Sequence, residues 1–128
     1  MNKVPTLPGS DPNQVVDEKT LERLRRLGGN ELVVKMIDLF SSHAQSVLTQ
    51  ALAAFEAEDL EALERAAHSI KSSAGNVGAI EVRHLAEQIE EAAHAGNRAV
   101  LQQLTTGLAE AFDEAKTRLD EQRNSTAG

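Results

Sequence analysis

Apolar residues recur at intervals of three and four along nearly the whole chain, the period of an amphipathic helix and not of a strand. Leu21, Leu24 and Leu27 share one face of a first short helix, with Asp17 as its N-cap and Gly28-Gly29 as its stop. Asn30 is then placed to cap a long second helix ending near Ala57. Its stripe comprises Leu32, Val33, Met36, Ile37, Phe40, Ala44, Val47, Leu48, Ala51, Leu52 and Phe55. Asp59 opens a third helix, with Leu60, Leu63, Ala67, Ile70, Ala74 and Val77 facing inward, and Gly78 marks the bend. A fourth helix runs from about Ile80 to Ala95 on Val82, Leu85, Ala86, Ile89 and Ala93, closed by Ala95-Gly96-Asn97. The last, roughly Arg98 to Gln122, carries Val100, Leu101, Leu104, Leu108, Phe112, Ala115 and Leu119.

No segment alternates with a period of two. Four amphipathic helices on short connections predict an all-α fold, an antiparallel up-down four-helix bundle with a short additional N-terminal helix across one end. The bundle is expected over residues 15–122. Residues 1–14 hold Pro5, Pro8, Pro12, Gly9 and Ser10 and read as a flexible leader or linker. Residues 123–128 read as a disordered tail.

Composition narrows the picture. With 128 residues, the chain suffices for one domain. Hydrophobic residues make up 41% but aromatics only 2%, so the core must be built from Leu, Ile, Val and Ala, which suits closely packed helices. The absence of Cys excludes disulfides, thiol chemistry and Cys-based zinc sites. A net charge of −7 repels phosphate backbones and argues against nucleic-acid binding. No apolar run is long enough to cross a membrane and no apolar signal segment opens the chain, so a cytoplasmic, soluble, monomeric domain is expected.

One position stands out chemically. At about 100° per residue, His68 lies about 130° from the centre of the third helix's apolar stripe, on the solvent flank. Glu64, Lys71 and Gly75 share that flank, Ser72 sits just beyond it, and Arg65 lies nearby. An exposed histidine is ordinarily a solvated polar residue. Here Ala66, Ala67, Ser69, Ser72, Ser73, Ala74 and Gly75 leave the ring without tall neighbours, although Gly75 costs a helix about 1 kcal/mol relative to Ala. Such a clearing suits the docking of a folded partner. His68 precedes Gly78 by ten residues and Glu90 follows it by twelve, so both lie about 15–18 Å from the turn on antiparallel helices. Glu90 could therefore accept a hydrogen bond from Nδ1 of His68, leaving Nε2 as the exposed nucleophile.

The segment "AHSIKSSAGNVGA" resembles the phosphorylated-histidine motif of histidine-containing phosphotransfer (HPt) domains of two-component phosphorelays. "LRRLGGNELVVKMIDLF" and "LAEQIEEAAHAGN" resemble the flanking helices, so the likeness extends from about Val16 to Leu119. The resemblance implies that His68 is phosphorylated on Nε2 and that Lys71 lies near the phosphoryl group. It further implies that Gly78 ends the helix and that Glu90 stands where members carry Gln or Glu. Ser72 departs from the Gly of many members, and Glu64, Arg65, Ala67, Ser72 and Gly75 would form the partner-docking surface. The partners implied are receiver domains of a hybrid sensor histidine kinase and of a response regulator. No cofactor of its own is implied, the Mg²⁺ being expected in the receiver. No Walker A sequence or nucleotide loop is present.

Two other readings compete. Glu81-x-x-His84 and Glu91-x-x-His94 match an element of di-iron bundles, but both lie on one helix about 15 Å apart and cannot share a metal pair. His43 has no ligand at suitable spacing and reads as a surface residue. The same bundle could also dock a receiver or kinase without chemistry.

Overall fold

In the computed structural model, residues 15–127 are described, with side chains to 125; the expected leader, residues 1–14, lies outside them. Asp17 caps the first helix as predicted, its carboxylate accepting from the Lys19 amide at 3.1 Å. The helix, α1 (Glu18–Glu56), is broken at Gly28–Gly29. Gly29 combines φ 73° with ψ −171°, a backbone state that side-chain-bearing residues avoid. The break yields a short segment, 18–27, and a long one, 30–56. Asn30 does not cap the second: its side-chain oxygen accepts instead from Nε of Arg25 across the break, at 2.9 Å. Leu27 is also not part of the core but 74% exposed, because the chain turns away before its face reaches the bundle.

Asp59 caps α2 (Leu60–Val77) by accepting from the Ala62 amide at 3.1 Å. α3 (Ile80–Ala95) follows after the Gly78 turn and ends at Gly96. A 3₁₀ turn, Arg98–Val100, then leads into α4 (Leu101–Ala127). Val100 was expected on the stripe of the last helix. It falls in this tighter turn, out of phase with the α-helix, and is exposed. The last helix does not end at Gln122 but continues to Ala127, and so includes most of the expected tail. A forked contact helps hold it, with Arg123 donating to both carboxylate oxygens of Asp38 on α1 at 2.6 and 3.1 Å.

The helices pack in cyclic order, α1 on α2, α2 on α3, α3 on α4 and α4 on α1, forming an antiparallel bundle in which α2 makes the most extensive contacts. Ala66, Ala67 and Ala74 on α2, with Ala86, Ala92 and Ala93 on α3, are buried where these two helices meet the core. The aromatic contribution to the core is Phe40 against Phe112, with ring centroids 5.5 Å apart and planes at 44°. Such a tilted pair contributes about 0.5–1.5 kcal/mol beyond its burial.

Gly78 determines how the α2–α3 hairpin turns. Its φ of 74° is left-handed, and the Ala79 amide reaches back to the Ala74 carbonyl at 2.9 Å to close the helix end. A Cβ there would lie 2.8 Å from Cβ of Thr20 and 3.0 Å from the Asp17 carbonyl oxygen. The Gly78 carbonyl also accepts from the Asp17 amide at 2.7 Å. The short N-terminal segment is thereby fastened over the turn.

Candidate functional site

His68 projects from the outer flank of α2, its side chain 62% exposed, as the helical wheel requires. Nδ1 lies 2.8 Å from Oε2 of Glu90 on α3. The second oxygen of the same carboxylate, Oε1, accepts from Nζ of Lys71 at 2.8 Å. The Glu90 side chain is only 21% exposed, so one largely buried carboxylate joins two groups of α2 across the hairpin. The hydrogen bond from Lys71, and with it that from His68, holds the Glu90 carboxyl below its ordinary range against the opposing effect of burial. Lys71 is shifted upward by the same bond to Glu90.

The chemical consequence concerns the imidazole tautomer. An ionised carboxylate is an acceptor only, so Nδ1 must carry the proton. In the neutral ring the free electron pair then sits on Nε2, on the solvent side. His68 is a fixed-tautomer nucleophile with a cation one helical turn away, but that cation is engaged by the carboxylate.

The surroundings match the sequence reading in part. Ser72 and Gly75 are exposed beside His68, and Arg65 is exposed, 3.9 Å from Glu61. Ala67 is fully buried and does not belong to the expected docking surface; one residue before His68, it is rotated by about 100° toward the core. Glu64 is turned away from His68 toward His94 on α3, whose Nδ1 lies 3.0 Å from Glu64 Oε2.

Three neighbours were missed by the sequence reading. Arg83 of α3 lies over Gly75, with its Cδ 3.7 Å from where a Cβ of that glycine would be. Glu87 faces Lys71 closely enough to favour its charge. His43 of α1, read as a surface residue, has its Nε2 3.2 Å from Oγ of Ser69, a contact the sequence did not suggest. A groove of about 270 Å³ adjoins that contact between α1 and α2, lined by Met36, Leu39, Phe40, His43, Ser73 and Asn76. A larger depression of about 650 Å³, on the Asn30–Ser42 face of α1, includes none of these site residues.

Among the described residues no cluster of three or more His, Asp or Glu could hold a metal ion. His94 pairs with Glu64 of the neighbouring helix and not with Glu91 of its own.

The profile of the Hpt domain family matches residues 35–121. The chain belongs to the HPt domain family. Its fold is similar to that of histidine-containing phosphotransfer protein B (HptB) from Pseudomonas aeruginosa PAO1. The two share 25% identity at a TM-score of 0.81, over 87% of this chain and 96% of that one. The maize histidine-containing phosphotransfer protein ZmHP2 has the same fold at 20% identity and a TM-score of 0.79, covering 92% of this chain and 91% of its own. No curated protein matches. As an HPt domain, the chain serves phosphotransfer in phosphorelays, where such domains work with receiver domains. No helix among the described residues is long and apolar enough to cross a membrane.

Proposed function

We propose that His68 accepts the phosphoryl group, taking it from the aspartyl phosphate of one receiver domain and passing it to an aspartate of another. The observation that carries this reading is the 2.8 Å contact between Nδ1 of His68 and Glu90, which leaves Nε2 unprotonated and facing solvent. The Nε2 electron pair attacks phosphorus in line. The acyl O–P bond breaks, and the donor leaves as a free carboxylate. The Nδ1 proton stays in place, so the ring becomes cationic beside Glu90, which stabilises it. The second transfer is the reverse of the first.

Lys71 contributes charge. In the resting domain its ammonium is neutralised by Glu90; once a phosphoryl group arrives, the anionic oxygens compete for it. The Mg²⁺ that such transfer needs belongs to the receiver, and this domain supplies the nucleophile on a rigid helix. The small exposed residues Ser72 and Gly75, with Arg65, let a folded partner approach, and the α1–α2 groove offers it apolar contact. The partners of this reading are receivers of a hybrid sensor kinase and of a response regulator, with the domain acting as a cytoplasmic monomer.

The test is transfer of labelled phosphate from a phosphorylated receiver to wild type and to His68→Gln. The variant should fold, by circular dichroism, and take up no label. Loading at the wild-type level would overturn the assignment.

A further inference from the structure

The α2–α3 hairpin holds a second imidazole in the same chemical setting as the first. Nδ1 of His94 lies 3.0 Å from Oε2 of Glu64, as Nδ1 of His68 lies 2.8 Å from Oε2 of Glu90. The two pairs are neighbouring rungs between the same helices with the partners exchanged, since Glu64 is one turn before His68 and His94 one turn after Glu90. The His94 side chain is 78% exposed, more than that of His68. Nothing in the phosphotransfer reading uses it.

The carboxylate fixes the His94 proton on Nδ1 and leaves the Nε2 pair free on the solvent side, the condition for attack on phosphorus. Among the described residues, the other two imidazoles have no carboxylate to fix their tautomer. The His43 contact with Ser69 is made through Nε2, and His84 makes no hydrogen bond among the described residues.

We propose that His94 is a second phosphoryl-acceptor site, open to small phosphoryl donors of the phosphoramidate and acyl-phosphate class. With phosphoramidate, the Nε2 pair of His94 forms the new N–P bond as the donor's P–N bond breaks. Ammonia leaves with that electron pair from the already protonated nitrogen. The proton stays on Nδ1 of His94, hydrogen-bonded to Glu64, so no proton is transferred and the ring becomes cationic. The second site differs from the first in its cation. Residue 71 returns to Glu90 because α2 continues past His68, whereas three residues after His94 the chain is at Asn97, beyond the left-handed stop at Gly96. Arg98, one residue further on, is engaged with Glu58 at 2.7 Å. His94 therefore has no counterpart of Lys71 three residues on.

The experiment is incubation with phosphoramidate, without any receiver, read by intact mass and by fragment mapping under conditions that keep N–P bonds. Wild type should carry two phosphoryl groups, His68→Gln and His94→Gln one each, and the double variant none on the same timescale. Glu64→Gln should slow loading of His94 by about tenfold, one lost charge-assisted hydrogen bond, and leave loading of His68 unchanged. A single adduct on wild type with none on His68→Gln overturns the proposal. Loading of His84 or His43 as fast as His94 also overturns it, because the carboxylate would then confer nothing. Neither result bears on transfer from a receiver to His68, which is measured separately.

Discussion

The His68 and His94 rungs are built from the same two functional groups, one helical turn apart, yet only one has a lysine. Glu90 faces two donors and is mostly buried, whereas Glu64 has His94 as its one hydrogen-bonding partner among the described residues. The difference arises from where each histidine sits in its helix. His68 is in the middle of α2, so the residue three positions on remains on the same face. His94 is in the last turn of α3, and the equivalent position has left the helix. An imidazole–carboxylate pair suffices to fix a tautomer; a cation beside the same ring also requires that the helix continue past it.

Both rungs depend most on the turn at Gly78 that aligns α2 with α3. Gly78→Ala forces a left-handed φ on alanine, costing about 1–2 kcal/mol, and drives a methyl into Thr20 and the Asp17 carbonyl. A total loss of about 2–4 kcal/mol of stability is expected in urea unfolding, with phosphoryl loading of both histidines impaired together. An unchanged midpoint would mean that the turn does not set the register.

Lys71→Ala tests the asymmetry directly. Transfer from a phosphorylated receiver to His68 should slow by about tenfold without being abolished, while His94 loading by phosphoramidate stays at its wild-type rate. Equal slowing at both sites would show that the lysine acts on the fold and not on the phosphoryl group.

The smallest effect sharpens the role of Glu90. Its carboxyl is held below the ordinary value of 4.5, chiefly by Lys71. A group depressed in the folded state contributes stability that is complete above its unfolded value and is lost as pH falls through the folded one. Wild type should therefore lose this contribution only below about pH 4.5, and Glu90→Gln should show a flatter acid limb in denaturation measured against pH. Superimposable acid limbs would mean that the Lys71–Glu90–His68 chain adds nothing to folding.

Much of the site could be read from spacing about Gly78. His68 and Glu90 are ten residues before and twelve after it, and the structure brings them to 2.8 Å. The same two-residue offset relates Glu64 to His94, Lys71 to Glu87 and Gly75 to Arg83, and each pair is juxtaposed across the hairpin. The spacing about Gly78 thus encodes those neighbours as well as the His68–Glu90 pair. Other features are not so encoded. Ala67 reads both as core and as surface because a small residue fits either, and its burial is decided by how α2 packs in the bundle. Asn30 is a good cap by type, but Arg25 competes for its oxygen across the break. Leu27 and Val100 obey the helical period, yet lie where the chain leaves it.

The sequence by itself determined the number of helices, the faces they bury and the placement of His68 on an open flank. These follow from local period and capping, which act over three or four residues. Only the tertiary structure decided that one carboxylate holds both Lys71 and the imidazole, and that a second imidazole is held the same way. Hydrogen bonds require atoms to meet at about 2.7–3.2 Å. That precision is set by how closely α2 and α3 pack, and no periodicity within either helix contains it.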